Sequence, residues 1–439
     1  MPPMTDGLGS VRQPPQHPAL GARPHQGRGL DERAVLRIGL LLTAAFVAAA
    51  LVAFALPGAG RGHWAGVHFA LAGAAMVAVG TFMPHFGATL AGSRPESAPL
   101  RLGGVGALAS GAVLVVSGIV SQATAIAFAG AGLLWFGVAI TAWTTLRPGT
   151  RSLARRHPVA RAAYGVALLE VAVGIGLPLL LLLGWEPAVS SWVRLKTAHV
   201  WLNLFGFISL TISATLVYLY PTVLGARIRA HATLAAMIGG GIVGPALVAI
   251  AAILGSYLIA VAGGLLAVVG ALGQVGYGLD VYRRRGRWTT DHGWHRVTIG
   301  HLSAGMAWYL LAAATAAVGL LRDGPAPSGW GLGALGIPLI AGWALQVLVG
   351  AWTHLLPAVG SVEPVARARQ RRLLGRLAVP RLVLWNAGVL VAWLGLGLGS
   401  LPVALAGTAA FSLVVASSVG LALSALLPER RRETRAAGH

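Results

Sequence analysis

Ala214-Thr-Leu-Val-Tyr-Leu-Tyr-Pro-Thr-Val-Leu224 has two counterparts in this chain: Gly80-Thr-Phe-Met-Pro-His-Phe-Gly-Ala-Thr-Leu90 before it and Gly350-Ala-Trp-Thr-His-Leu-Leu-Pro-Ala-Val-Gly360 after it. The offsets are 134 and 136 residues, and recurrence at a near-constant spacing marks a repeated structural unit. Each stretch closes a long apolar run. The chain holds twelve such runs, at about 34–56, 64–90, 102–121, 124–146, 159–183, 196–224, 232–254, 256–279, 297–321, 331–358, 379–398 and 402–427. At ~1.5 Å per helical residue, each is long enough to cross a ~30 Å hydrocarbon core. The related stretches end runs 2, 6 and 10, while His157-Pro-Val and His295-Arg-Val, 138 residues apart, open runs 5 and 9. The predicted fold is all-α and polytopic: twelve transmembrane helices in three pseudo-repeats of four. An inverted-repeat transporter would instead divide into two halves.

Composition and charge agree. Hydrophobic residues make up 56% of the 439, charged residues 10%, and mean hydropathy is +0.74, which excludes an ordinary soluble globule. When the runs are threaded back and forth, all but Arg61, Arg194, Lys196 and Arg322 of the 33 Lys and Arg fall on one side. By the positive-inside rule that side is cytoplasmic, and both termini lie there, as expected of a multi-pass protein of the plasma membrane. The formal charge of +21 sits in short loops, where topology and anionic lipid account for it, so nucleic acid is not an expected partner. Residues 1–33, with Pro14, Pro15, Pro18 and Pro24, read as a disordered cytoplasmic tail rather than a signal peptide; 34–427 is the membrane domain and 428–439 a second tail. The chain has no Cys, which removes disulfides, thiolate metal sites and iron–sulfur clusters.

Histidines carry the chemistry that remains. Polar side chains in hydrocarbon cost a few kcal/mol and are usually retained for a reason. Six of the thirteen His fall in or at the edge of the spans: His63, His68 and His85 on helix 2, His199 on helix 6, His301 on helix 9 and His354 on helix 10. His68 and His85 stand 17 residues apart on one helix, ~25 Å, so one ion cannot bridge both. Two sites are expected: an outer one from His68 and His199 with His63 at the rim, and an inner one from His85, His354 and His301. Imidazole ligates both b-type haem and copper, and a Cys-free bundle offers little else. The competing reading is that each ring hydrogen-bonds a neighbouring carbonyl. Asn203, one turn from His199, is placed to orient its ring. Glu170 is the single carboxylate well inside a span, readable as a proton-path group, a counter-ion or a structural pair. His157, His231, His292 and His295 read as solvated loop residues.

Twelve helices in three groups of four, with His on helices 2, 6 and 10, resemble the catalytic-subunit fold of haem–copper oxidases and nitric oxide reductases (cytochrome c oxidase subunit I-like), including NnrS-like membrane proteins. More narrowly, Val67-His68-Phe69-Ala-Leu-Ala-Gly73-Ala74, His199-Val-Trp-Leu202-Asn203-Leu-Phe-Gly206-Phe207 and Gln346-Val-Leu-Val-Gly350, in that order, are similar to the membrane region of actinobacterial multicopper oxidases of the nitrite-reductase type. The resemblance implies haem b or copper on membrane His residues, with a role in respiratory electron transfer, nitric-oxide or nitrite metabolism, or copper handling. The partner it implies is a separate copper oxidase or nitrite reductase. Helix 7 has no His and helix 10 no outer His, so the resemblance does not extend to an oxygen-reducing centre. No catalytic residue is assigned. A non-redox transporter or scaffold with the same fold stands as the alternative.

Overall fold

The computed structural model describes residues 26–55, 62–150, 158–229, 232–286, 294–325, 332–360 and 363–426. These residues are helical almost throughout, with no strand among them. Twelve helices are long and apolar enough to span a membrane: α1 (Glu32–Phe54), α2 (His63–Ala91), α3 (Ala98–Val120), α4 (Thr124–Pro148), α5 (Pro158–Leu182), α6 (Trp192–Leu224), α7 (Ala232–Leu254), α8 (Tyr257–Arg283), α9 (His295–Asp323), α10 (Ala334–Pro357), α11 (Ala378–Gly397) and α12 (Leu401–Ala425). The protein is an all-α multi-pass membrane protein. Its lipid-facing surface explains otherwise costly exposures, such as Phe136 at 59% and Leu258 at 78%.

Most of the expected tails, 1–25 and 427–439, lie outside the described residues, as do His157, His231 and His292. The first helix begins at Gln26, ahead of its apolar span and inside the stretch read as tail. Glu32 gives the reason, since its carboxylate ties α1 to α2 and α3 and so rewards extending the helix beyond hydrocarbon.

Each group of four ends in a tight antiparallel hairpin: α3 with α4, α7 with α8, and α11 with α12. The three hairpins share one device. A Cβ added at Gly111 would stand 2.8 Å from the Gly130 carbonyl oxygen, one at Gly244 2.9 Å from that of Gly263, and one at Gly388 2.9 Å from that of Gly407. Backbones this close admit only glycine. Their turns match too: Ala123 N–H donates to the Gly118 carbonyl (2.8 Å), Ser256 to Ala251 (3.0 Å) and Ser400 to Gly395 (2.8 Å). In each turn the left-handed residue is the same one structurally, Gln122, Gly255 or Gly399. The groups join where α4 meets α5 and α8 meets α9, and α12 packs on α1 to close the ring.

The second helix of each group is interrupted by a π-helical segment: Phe69–Ala75 in α2, Trp201–Ser209 in α6 and Ile337–Ala344 in α10. Each segment holds a glycine that receives a side chain from the first helix of its group. Gly73 faces Phe46, Gly206 faces Glu170 and Gly342 faces Trp308. The α6 and α10 segments also meet directly, where Trp343 Nε1–H donates to Ser209 Oγ at 3.1 Å.

Candidate functional site

π-segments change the register of a helix by about a residue and often sit at functional positions. His68 is the residue immediately before the α2 segment, and His199 stands two before the α6 segment. The two imidazoles lie together between α2 and α6, ring centroids 6.5 Å apart and planes 20° from parallel. On α10 the two residues before the segment are Leu335 and Gly336, so the third group supplies no imidazole there.

Backbone carbonyls fix the tautomer of both rings. His68 Nδ1 lies 2.8 Å from the Trp64 carbonyl oxygen, and His199 Nδ1 lies 2.8 Å from that of Gly174 on α5. A carbonyl only accepts, so each Nδ1 carries the hydrogen and each Nε2 keeps its lone pair. Asn203 Nδ2 donates to the His199 carbonyl at 2.7 Å; its 3.2 Å approach to Nδ1 is then packing, since that nitrogen has no lone pair to offer. Trp64 stacks on the His68 ring at 3.9 Å. A Cβ on Gly174 would meet the Asn203 amide, so glycine there lets α5 bring its carbonyl up to the ring. This is the arrangement that orients a metal-ligating histidine: one nitrogen tied back to the protein, the other free. A metal–imidazole bond is about 2 Å, so two rings on one ion have centres roughly 6 Å apart. The 6.5 Å spacing of the rings is close to that value.

The remaining sequence candidates lie away from this pair or have other partners. His63 is exposed, and its ring lies 6.2 Å from that of Phe54. His85 Nδ1 is 2.8 Å from Glu32 Oε1, and the other oxygen of that carboxylate accepts from Arg101, which is buried at 2% exposure. His301 is fully buried with its ring edge-on to Trp385 at 5.1 Å, and neither of its nitrogens has a hydrogen-bond partner among the described residues. His354 on α10 sits in the electrostatic field of His295 and Arg371. Of the three inner candidates His85 is committed to Glu32, while His301 packs against α10 at Gly350, one turn from His354; no group of three His, Asp or Glu able to hold a metal occurs among the described residues. His295, read from sequence as a solvated loop residue, is instead buried at 5% exposure, because α9 starts before its apolar run does.

Two further features lie along the α5–α6 interface, one near the pair and one toward the other end of the helices. Glu170 lies one turn from Gly174 on α5, buried at 5% exposure, with no hydrogen-bond partner for either carboxylate oxygen among the described residues. Further along the α5–α6 interface, Tyr164 Oη is 2.6 Å from Tyr218 Oη and 2.9 Å from Thr215 Oγ1. The Phe86 ring of α2 meets Tyr218 at 5.4 Å, so α2 and α6 touch at this level as well as at the histidines. Sequence reading found His68, His199, Asn203 and Glu170. It missed Gly174, because a backbone acceptor has no residue type to announce it. It also missed Trp64, although its place one turn before His68 on the same helix face is a signal that spacing offers.

No protein-family model matches the chain, and no curated protein matches it.

Proposed function

We propose that this is a plasma-membrane protein, with both termini cytoplasmic, that binds haem b or copper through His68 and His199. Its role is in respiratory electron transfer, nitric-oxide or nitrite metabolism, or copper handling, with a separate copper oxidase or nitrite reductase as its partner. The observation that carries this reading is the juxtaposition of two imidazoles on equivalent helices, each with Nδ1–H committed to a carbonyl and Nε2 open. Bonds to neighbouring carbonyls are also what packed histidines in a non-redox transporter or scaffold would make; the closeness of the two rings is what favours ligation.

The bound group would supply a one-electron redox centre. The protein's own part is to hold both rings, through the Trp64 and Gly174 carbonyls, and to keep lipid from the pocket with Trp64. Absorption spectroscopy and metal analysis of the purified protein test the reading. Reducible Soret, α and β bands, or stoichiometric copper, would support it. A colourless, copper-free protein that takes up neither group would leave the transporter or scaffold reading in its place.

A further inference from the structure

Glu170 is a buried carboxyl on α5 that hydrogen bonding among the described residues leaves unexplained. A carboxylate at 5% exposure with both oxygens unpartnered is strongly disfavoured as an anion, because burial removes hydration and nothing replaces it. The side chain is held where it is: a Cβ at Gly206 would overlap the carboxyl, so the π-segment of α6 opens room for it. From Glu170 to Gly174, whose carbonyl takes the His199 Nδ1–H, is one helical turn, about 6 Å.

The surrounding charges leave it isolated. Of the helices packed on α5, α7 has no ionisable residue and α4 has only Arg147, at its far end. On α6 the nearest titratable groups are His199 toward one end and Tyr218, bonded to Tyr164, toward the other. Arg194 and Lys196 stand at the start of α6, and Glu186 lies on the short helix Glu186–Ser190 that follows α5. From α9, Tyr309 is within electrostatic range. Among the described residues of the helices packed on α5, no cation faces the carboxyl, so a positive charge arriving in the histidine pocket would be the first it meets there.

We propose that Glu170 is a proton-carrying carboxyl serving the His68–His199 pocket: it is neutral in the resting fold, and ionises, releasing one proton, when a cation enters the pocket. The balance is –COOH to –COO⁻ plus H⁺, with the new anion offsetting the charge delivered to two neutral imidazoles. The coupling rests on the functional reading above, while the protonation of Glu170 does not. Hydrophobic carbodiimides add to protonated carboxylic acids inside a bilayer and leave a stable acylurea, which peptide mass spectrometry assigns to a residue. The intact protein in lipid nanodiscs is treated with such a reagent, alone and after incubation with copper(I) or haemin, uptake being measured separately by metal analysis and absorbance. Expected is an adduct on Glu170, absent from Glu170→Gln, that falls about tenfold on loading if the cation lowers the carboxyl's proton affinity by one pKa unit. No adduct on Glu170 in the folded wild-type protein would overturn the proposal. An adduct unchanged despite measured uptake would overturn the coupling alone. Failure to take up either probe would instead overturn the functional reading, and the coupling with it.

Discussion

Glu32 joins three helices at one end of the bundle, accepting from Arg101 on α3 with one oxygen and contacting His85 on α2 with the other. Arg101 is buried, so this carboxylate is the charge that compensates it; His85 is about a third exposed and is the lesser partner. Glu32→Gln should therefore destabilise the fold by about 3 kcal/mol, as removing one member of a buried pair does. His85→Ala should cost about 1 kcal/mol and leave cofactor uptake intact; thermal unfolding followed in detergent checks both. Parity of the two variants would contradict this division of roles. The pairing was not legible in the sequence, because its members lie 53 and 69 residues apart with no spacing rule to join them. By contrast, His68 and His199 were legible as a pair, since they stand at similar depth on equivalent helices.

Among the elements, the hairpins carry the pseudo-symmetry most plainly. Gly111 and Gly130, Gly244 and Gly263, and Gly388 and Gly407 are each nineteen residues apart, with the left-handed turn residue eleven after the first. That regularity was readable in the sequence but is diluted among 61 glycines, which is why the repeat shows first in the Pro-bearing ends of helices 2, 6 and 10. The π-segments were not readable, as Phe69–Ala75 and Ile337–Ala344 differ from ordinary apolar helix in nothing but their backbone. Gln122 occupies the turn at φ 59°, where its two counterparts are glycine. Gln122→Gly should raise stability by about 1 kcal/mol by relieving the left-handed strain. Gly388→Leu should do the opposite, wedging α11 from α12 against backbone that cannot yield, and cost 3 kcal/mol or more (~). Thermal midpoints of the two variants, moving in opposite directions, are the check.

At the scale of the molecule, length and hydropathy made the twelve spans legible to within four residues at each end, because hydrocarbon thickness sets helix length whatever the packing. Orientation follows from charge: reporter fusions after Arg155 and after Trp185, which bracket α5, should report opposite faces, the former cytoplasmic. The same face for both would break the topology. The whole assembly holds three equivalent helices, two of which bring an imidazole to one place while the third has Leu335 and Gly336 before its π-segment. Loading at that place is the central claim. The most direct measurement is haem and copper content, by absorbance and elemental analysis, of the wild-type protein beside His68→Ala and His199→Ala, with His85→Ala as the control. Expected is a loaded wild type and control, with loss of most of the bound group from each of the two variants, since a missing ligand leaves an open coordination position. Equal loading of all four proteins, or of none, would contradict it.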